Sequence, residues 1–301
     1  MRRVAILGAT GHIGKALADF YIGQQNVALS LYSRRPEVTR ALFAAKHVQH
    51  HTLDELGAHD VDVIINAIGI GDPAVASNAG PEFYRLTLAI EDLVDVVAQA
   101  NPGCLTVYMS SGAIYGPLES GPASETTLAT VPLNLLRPSD WYGASKLAAE
   151  LRHRAQPERR ILDIRIFGFV SEFLDLGTRY LVCDIVNSIR TGQVMRTNNQ
   201  NVVRDYISTL ELATLIELAS ERPVVNVAVD TYSLAPVSKF DLLESLRALG
   251  LRWSVESQDI ASTGRTHYWS RYHAAEQIGY VPERKAIDIV QELVANLTRS
   301  E

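Results

Sequence analysis

Cysteine is scarce in this chain: two residues in 301, Cys104 and Cys183, far apart and in apolar surroundings. That argues against a disulfide framework, and both read as core residues. Basic charge is also short. Lysine and arginine number 28 against 34 acidic residues, giving a formal net charge of -6, and they form no run. A nucleic-acid partner needs a concentrated positive surface, so none is expected, and the basic residues become candidates for local phosphate ligands. Long apolar stretches are missing too, nothing approaching the roughly 18 residues of a membrane span. Met1-Arg2-Arg3 runs straight into Val4-Ala5-Ile6-Leu7, too brief an apolar segment for a signal peptide. The expectation is a soluble, cytoplasmic protein. There is no internal repeat. His47, His50, His51 and His59 lie close in sequence but lack paired ligand spacing, so no metal is expected.

What is present is a large apolar fraction, 47%, enough for one large α/β domain or such a domain with a smaller appendage. Short β-branched runs at Val4–Leu7, Val27–Tyr32, near Val48, Val61–Asn66, Leu105–Met109 and Ile161–Phe167 read as strands. Between them, Lys15–Gly23 and Phe83–Ala100 have helical spacing, as does the stretch bearing Tyr142. Alternation of this kind predicts a Rossmann-type doubly wound parallel sheet with helices on both faces. Beyond residue 168 the alternation loosens, and Gly192–Val203 and Ala261–Gly279 are polar and irregular. The predicted organisation is a larger α/β domain over 1–167, the part that holds the candidate cofactor and catalytic residues described below. Residues 168–301 form mainly a smaller α+β substrate lobe. Val224–Val229, Lys239–Leu249 and Ala286–Leu297 are further elements, with some segments returning to the first domain.

Gly8-Ala9-Thr10-Gly11-His12-Ile13-Gly14 follows a predicted strand and opens a predicted helix. Glycines at those positions allow a tight turn and close approach of a pyrophosphate to the helix N-terminus. Where the second strand ends, a carboxylate would receive the ribose hydroxyls of NAD; this chain has Ser33-Arg34-Arg35 instead. Guanidinium and hydroxyl groups suit the 2′-phosphate of NADP(H), with Arg34 the leading ligand, although NAD(H) stays open. Further on, Tyr142 and Lys146 stand four apart, on one face of a helix. There the ammonium favours the ionised phenol, making a proton donor and acceptor usable near neutral pH.

These segments, together with Asn66-Ala67-Ile68, Ser110-Ser111-Gly112-Ala113-Ile114-Tyr115-Gly116, Val203-Arg204-Asp205-Tyr206-Ile207 and Ile278-Gly279-Tyr280-Val281-Pro282, resemble the extended short-chain dehydrogenase/reductase family. That family includes nucleotide-sugar epimerases, dehydratases and 4-ketoreductases, and the resemblance covers nearly the whole chain. It implies Tyr142 as acid/base, Lys146 as the lysine on the nicotinamide ribose, Ser111 rather than Ser110 as the hydroxyl on the substrate oxygen, and Arg204 and Arg265 as contacts to a substrate diphosphate. It also implies a homodimer through the helix bearing Tyr142, where Leu147, Ala148 and Leu151 would permit the contact. The chain departs from the family at Gly112 and Ala113, where 4,6-dehydratases carry an Asp-Glu pair, and at Gly168 and Thr87, which stand for asparagines. Dehydration is therefore set aside. The expected activity is NADP(H)-dependent reduction of a keto group on a nucleotide sugar. A nucleotide-sugar epimerase and a non-catalytic dinucleotide sensor are the alternatives. Tyr268, Trp269 and Tyr272 read as packing for the second lobe.

Overall fold

The computed structural model describes residues 1–45, 47–71, 73–118, 121–256 and 266–299. In chain order the first part comprises β1 (Arg2–Leu7), α1 (His12–Ile22), β2 (Val27–Tyr32), α2 (Pro36–Leu42), β3 (Val48–His51), β4 (Val63–Asn66), α3 (Pro73–Ala79), α4 (Pro81–Ala100), β5 (Leu105–Ser111), α5 (Asp140–Arg154) and β6 (Ile161–Ile166). There follow α6 (Leu181–Thr191), β7 (Met195–Thr197), β8 (Val203–Arg204), α7 (Thr209–Ser220), β9 (Asn226–Asp230), β10 (Val237–Ser238), α8 (Lys239–Ser245), β11 (Trp253–Val255), β12 (His267–Tyr268) and α9 (Ala286–Arg299).

Seven strands form one parallel sheet in the order β3-β2-β1-β4-β5-β6-β9. Its central strands β1, β4 and β5 are mainly apolar and buried on both faces because each face is covered by helices. Val4 and Ile6 enter one core with Leu17 of α1 and Leu212 of α7, while the intervening Ala5 and Leu7 enter another with Ile90 and Val94 of α4. A third core joins α6, α8 and α9 through Val186, Leu242 and Val290. Two small sheets, β10-β8-β12 and β11-β7, complete the described residues.

The order of the large sheet reverses between β1 and β4. Chain connections leave the sheet in opposite directions there, opening a crevice at the carboxyl ends of the strands. The glycine turn after β1 and the Asn66-Ala67-Ile68 segment after β4 both lie at this crevice. Several boundaries differ from the sequence expectation. The first helix begins at His12, three residues early, because the glycine turn feeds directly into it. β5 runs on to Ser111, placing both serines in the strand. Past residue 168 the strand expected at Val224–Val229 is β9, which returns beside β6, and α7, which the sequence reading did not name, packs against α1. No helix among the described residues is long and apolar enough to cross a membrane.

Leu212 is fully buried on α7, far in sequence from the strands it covers. Leu212→Ala is expected to lower unfolding stability by about 2–5 kcal/mol in urea with an unchanged denaturant slope. An unchanged midpoint would contradict the docking of α7 on the large sheet.

Candidate active site

The glycine turn is closed by contact with itself. Gly11 N–H donates to the Gly8 carbonyl at 2.9 Å, and a Cβ on Gly14 would lie 2.2 Å from that same oxygen. Only glycine fits there, so the chain passes closely under α1 and leaves its N-terminal amides facing the crevice. No acidic side chain occupies the first turn of α1 to oppose an anion. This cradle fits a pyrophosphate. Thr10 and Ile13 flank the turn, and Asn66 Oδ1 accepts from Ile68 N–H at 3.2 Å, shaping the segment that includes Ala67. His12 turns to Ser171 Oγ at 2.9 Å and packs against Phe169. Burial, helped by Lys15, lowers its pKa to about 4, so it is neutral at pH 7 and the helix terminus supplies the positive field. At the end of β2, Ser33 is buried and accepts from Arg35 N–H at 3.2 Å, while Arg34 and Arg35 are exposed.

The second half of the site is set by how α5 meets β5. A Cβ on Gly143 would lie 2.6 Å from the Ala113 carbonyl oxygen, so glycine lets α5 rest directly on the turn that follows Ser111. Tyr142 and Lys146 are thereby brought to the carboxyl end of β5. The Tyr142 ring stacks on Phe83 of α4 with centroids 5.3 Å apart, and the Lys146 ammonium lies 5.9 Å from the centroid of each ring. Lys146 is buried. Burial lowers its pKa, and Glu91, Asp163 and Glu150 act in the opposite direction.

The two serines part company. Ser110 donates to Glu150 at 2.5 Å, and Glu150 receives Arg165 of β6 at 2.6 Å. Arg165 continues to Tyr115 and Asp230, and Asp230 accepts from Ser270 at 2.5 Å. Ser111 lies outside this network. Its Oγ accepts from Ala113 N–H at 3.2 Å and lies 3.1 Å from the Tyr268 hydroxyl. Arg204 of β8 is next to Tyr268 in the small sheet, and its guanidinium donates to the Val203 carbonyl at 2.9 Å. Arg265 lies outside the described residues.

Sequence reasoning missed the charged layer beneath Lys146. His153, fully buried on α5, places Nδ1 at 2.8 Å from Asp163 and Nε2 at 2.7 Å from Glu91. Two carboxylates facing both nitrogens require two N–H donors, hence an imidazolium. Burial alone would lower its pKa; Asp163 and Glu91 outweigh that and raise it to about 9. Arg154 adds a second cation to Asp163 at 2.7 Å. A small cavity of about 20 Å³, lined by Lys146, Glu91, Asp163, Asn66 and Ser110 together with apolar side chains such as Phe83 and Ile90, has room for one water molecule. No spacing rule exposes such a cluster, because its members come from α4, α5 and β6. Tyr268, expected as packing for the second lobe, packs on Phe167 and in addition reaches Ser111 through β12.

A group whose folded pKa exceeds its unfolded value stabilises below the unfolded value and ceases to do so above the folded one. Melting temperature is therefore expected to fall as pH rises from about 6.5 through about 9. His153→Gln should melt lower at pH 6 and lose this dependence; a wild-type profile that is flat over the range would contradict the charged assignment.

Comparison with known proteins agrees with this geometry. The model of the NAD dependent epimerase/dehydratase family matches residues 4–235. A relative from Kitasatospora kifunensis, dTDP-6-deoxy-L-talose 4-dehydrogenase (NAD(P)(+)), is 25% identical over 97% of this chain and 94% of its own length. The UDP-glucose 4-epimerase of Stenotrophomonas maltophila, solved with NAD and formylated UDP-arabinopyranose, superposes with TM-score 0.79 at 16% identity, over 100% of this chain and 98% of that one. The dTDP-glucose 4,6-dehydratase of Bacillus anthracis, solved with NAD, gives 0.76 at 14% identity over 100% and 98%. With the glycine turn, the parallel sheet and the family match in agreement, the chain belongs to the NAD dependent epimerase/dehydratase family, within the extended short-chain dehydrogenases/reductases.

Proposed function

We propose that this chain is an NADP(H)-dependent reductase of a keto group on a nucleotide-activated sugar. The observation that supports the reading is the rest of Gly143, between Tyr142 and Lys146 on α5, against the Ala113 carbonyl two residues past Ser111 at the end of β5. Bound NADP(H) would supply the hydride for the carbonyl carbon. Tyr142 gives its phenolic proton to the carbonyl oxygen, and Ser111 donates a hydrogen bond that polarises that oxygen. Lys146 favours the phenolate left behind and so eases return of the proton. Arg34, with Ser33 and Arg35, would hold the adenosine 2′-phosphate, and Arg204 a substrate diphosphate.

Two observations favour reduction over the other chemistries of the family. Gly112 and Ala113 supply no carboxylate after Ser111, so elimination of water lacks its acid and base. The Kitasatospora relative is by name a nucleotide-sugar 4-dehydrogenase, and oxidation at that carbon is ketone reduction run backward. An epimerase would use the same three residues but consume no cofactor. Residues 1–167 would serve mainly the cofactor and 168–301 mainly the sugar nucleotide. Leu151 on α5, 64% exposed, and Val96 on α4, 69% exposed, leave apolar surface suited to pairing with a second copy.

A screen of nucleotide sugars and their keto forms with NADPH and NADH, followed by absorbance and product mass, tests the reading. Stoichiometric NADPH oxidation is expected; isomerisation without absorbance change would establish the epimerase instead. Tyr142→Phe is expected to lose at least about a hundredfold in kcat while retaining NADPH affinity. Arg34→Ala should weaken NADPH binding about tenfold and NADH binding by less than about twofold. Equal wild-type affinity for the two cofactors would contradict the 2′-phosphate assignment.

A further inference from the structure

Tyr268 of β12 reaches Ser111 at the end of β5. β12 pairs with β8 so that Tyr268 stands beside Arg204, and two residues later Ser270 bridges Ala123 and donates to buried Asp230. Backbone bonds from Ala123 N–H to the Trp269 carbonyl at 3.0 Å and from Arg271 N–H to the Ala123 carbonyl at 2.9 Å tie the segment after β12 to Ala123. The ring of Tyr268 packs on Phe167, centroids 5.1 Å apart. Its hydroxyl lies 3.1 Å from Ser111 Oγ.

A serine hydroxyl has one proton and two lone pairs. One lone pair of Ser111 already accepts Ala113 N–H at 3.2 Å. If Ser111 spent its proton on Tyr268, it would have none to offer a substrate oxygen. With the phenol as donor, both lone pairs are filled and the serine proton has a single remaining direction. A donor placed on the serine oxygen also polarises its O–H and makes it the better donor.

We propose that Tyr268 is a positioning residue of the reaction: its phenol donates to Ser111 Oγ and turns the serine proton toward the reacting carbonyl oxygen. This rests on the reduction proposed above. No proton leaves Tyr268 in the cycle. The proton added to the oxygen comes from Tyr142, and Ser111 and Tyr268 contribute hydrogen bonds only.

Tyr268→Phe keeps the ring on Phe167 and removes the hydroxyl alone. With NADPH and a keto sugar that the wild type reduces, it is expected to lower kcat about tenfold and change KM by less than about twofold. Ser111→Ala should lose more, and the double variant should be no slower than Ser111→Ala alone, because the phenol acts only through the serine. Additive losses, a loss confined to KM, or an undiminished kcat in Tyr268→Phe would each overturn the proposal. If no keto sugar is reduced by the wild type, the proposed function fails separately. A crystal structure of the NADPH complex then decides: a Tyr268 hydroxyl within hydrogen-bond reach of Ser111 Oγ supports the assignment, and one turned away from it overturns it.

Discussion

The site depends on one close contact, the rest of α5 against the Ala113 carbonyl at Gly143. Any side chain there would push the helix from the end of β5 by more than a hydrogen bond tolerates. Because Tyr142 precedes that glycine and Lys146 follows one turn later, the contact fixes both relative to Ser111. In the proposed reduction, proton transfer and carbonyl polarisation act on a single oxygen, so an error of about an ångström between the two groups costs rate steeply. Glycine at 143 is thus a condition on chemistry as much as on packing.

Beneath that contact the protein buries charge rather than hydrocarbon. His153 between Glu91 and Asp163, and Arg165 between Glu150 and Asp230, tie α4, α5, β6 and β9 together. Buried ion pairs are poor sources of net stability, since desolvation offsets most of the attraction. They are directional, however, and they hold α5 in one register. Ser110 joins this layer and Ser111 does not, which follows from the alternation of side chains along β5. The same layer places carboxylates behind Lys146, opposing the effect of burial on its charge.

Much of this was legible in the sequence. The glycine turn, the strand and helix alternation through β6, and the spacing of Tyr142 and Lys146 are local signals, and the fold they predict is the fold observed. The preference for Ser111 over Ser110 came from resemblance; the structure adds that Ser110 is held by Glu150. What stayed hidden is non-local. Glu91, His153 and Asp163 look like ordinary helix and strand residues until three elements converge. Tyr268 lies in a segment with no periodicity, because a two-residue strand is too short to show any. The strand at Val224–Val229 was legible and is β9, whereas α7 was obscured by the short irregular elements on either side of it.

The most direct test of this account is the turnover of Gly143→Ala, read beside its melting curve and its NADPH affinity. The account predicts a cooperatively folded protein that binds NADPH within about threefold of wild type and turns over at least about a hundredfold more slowly. Wild-type turnover in that variant would contradict it.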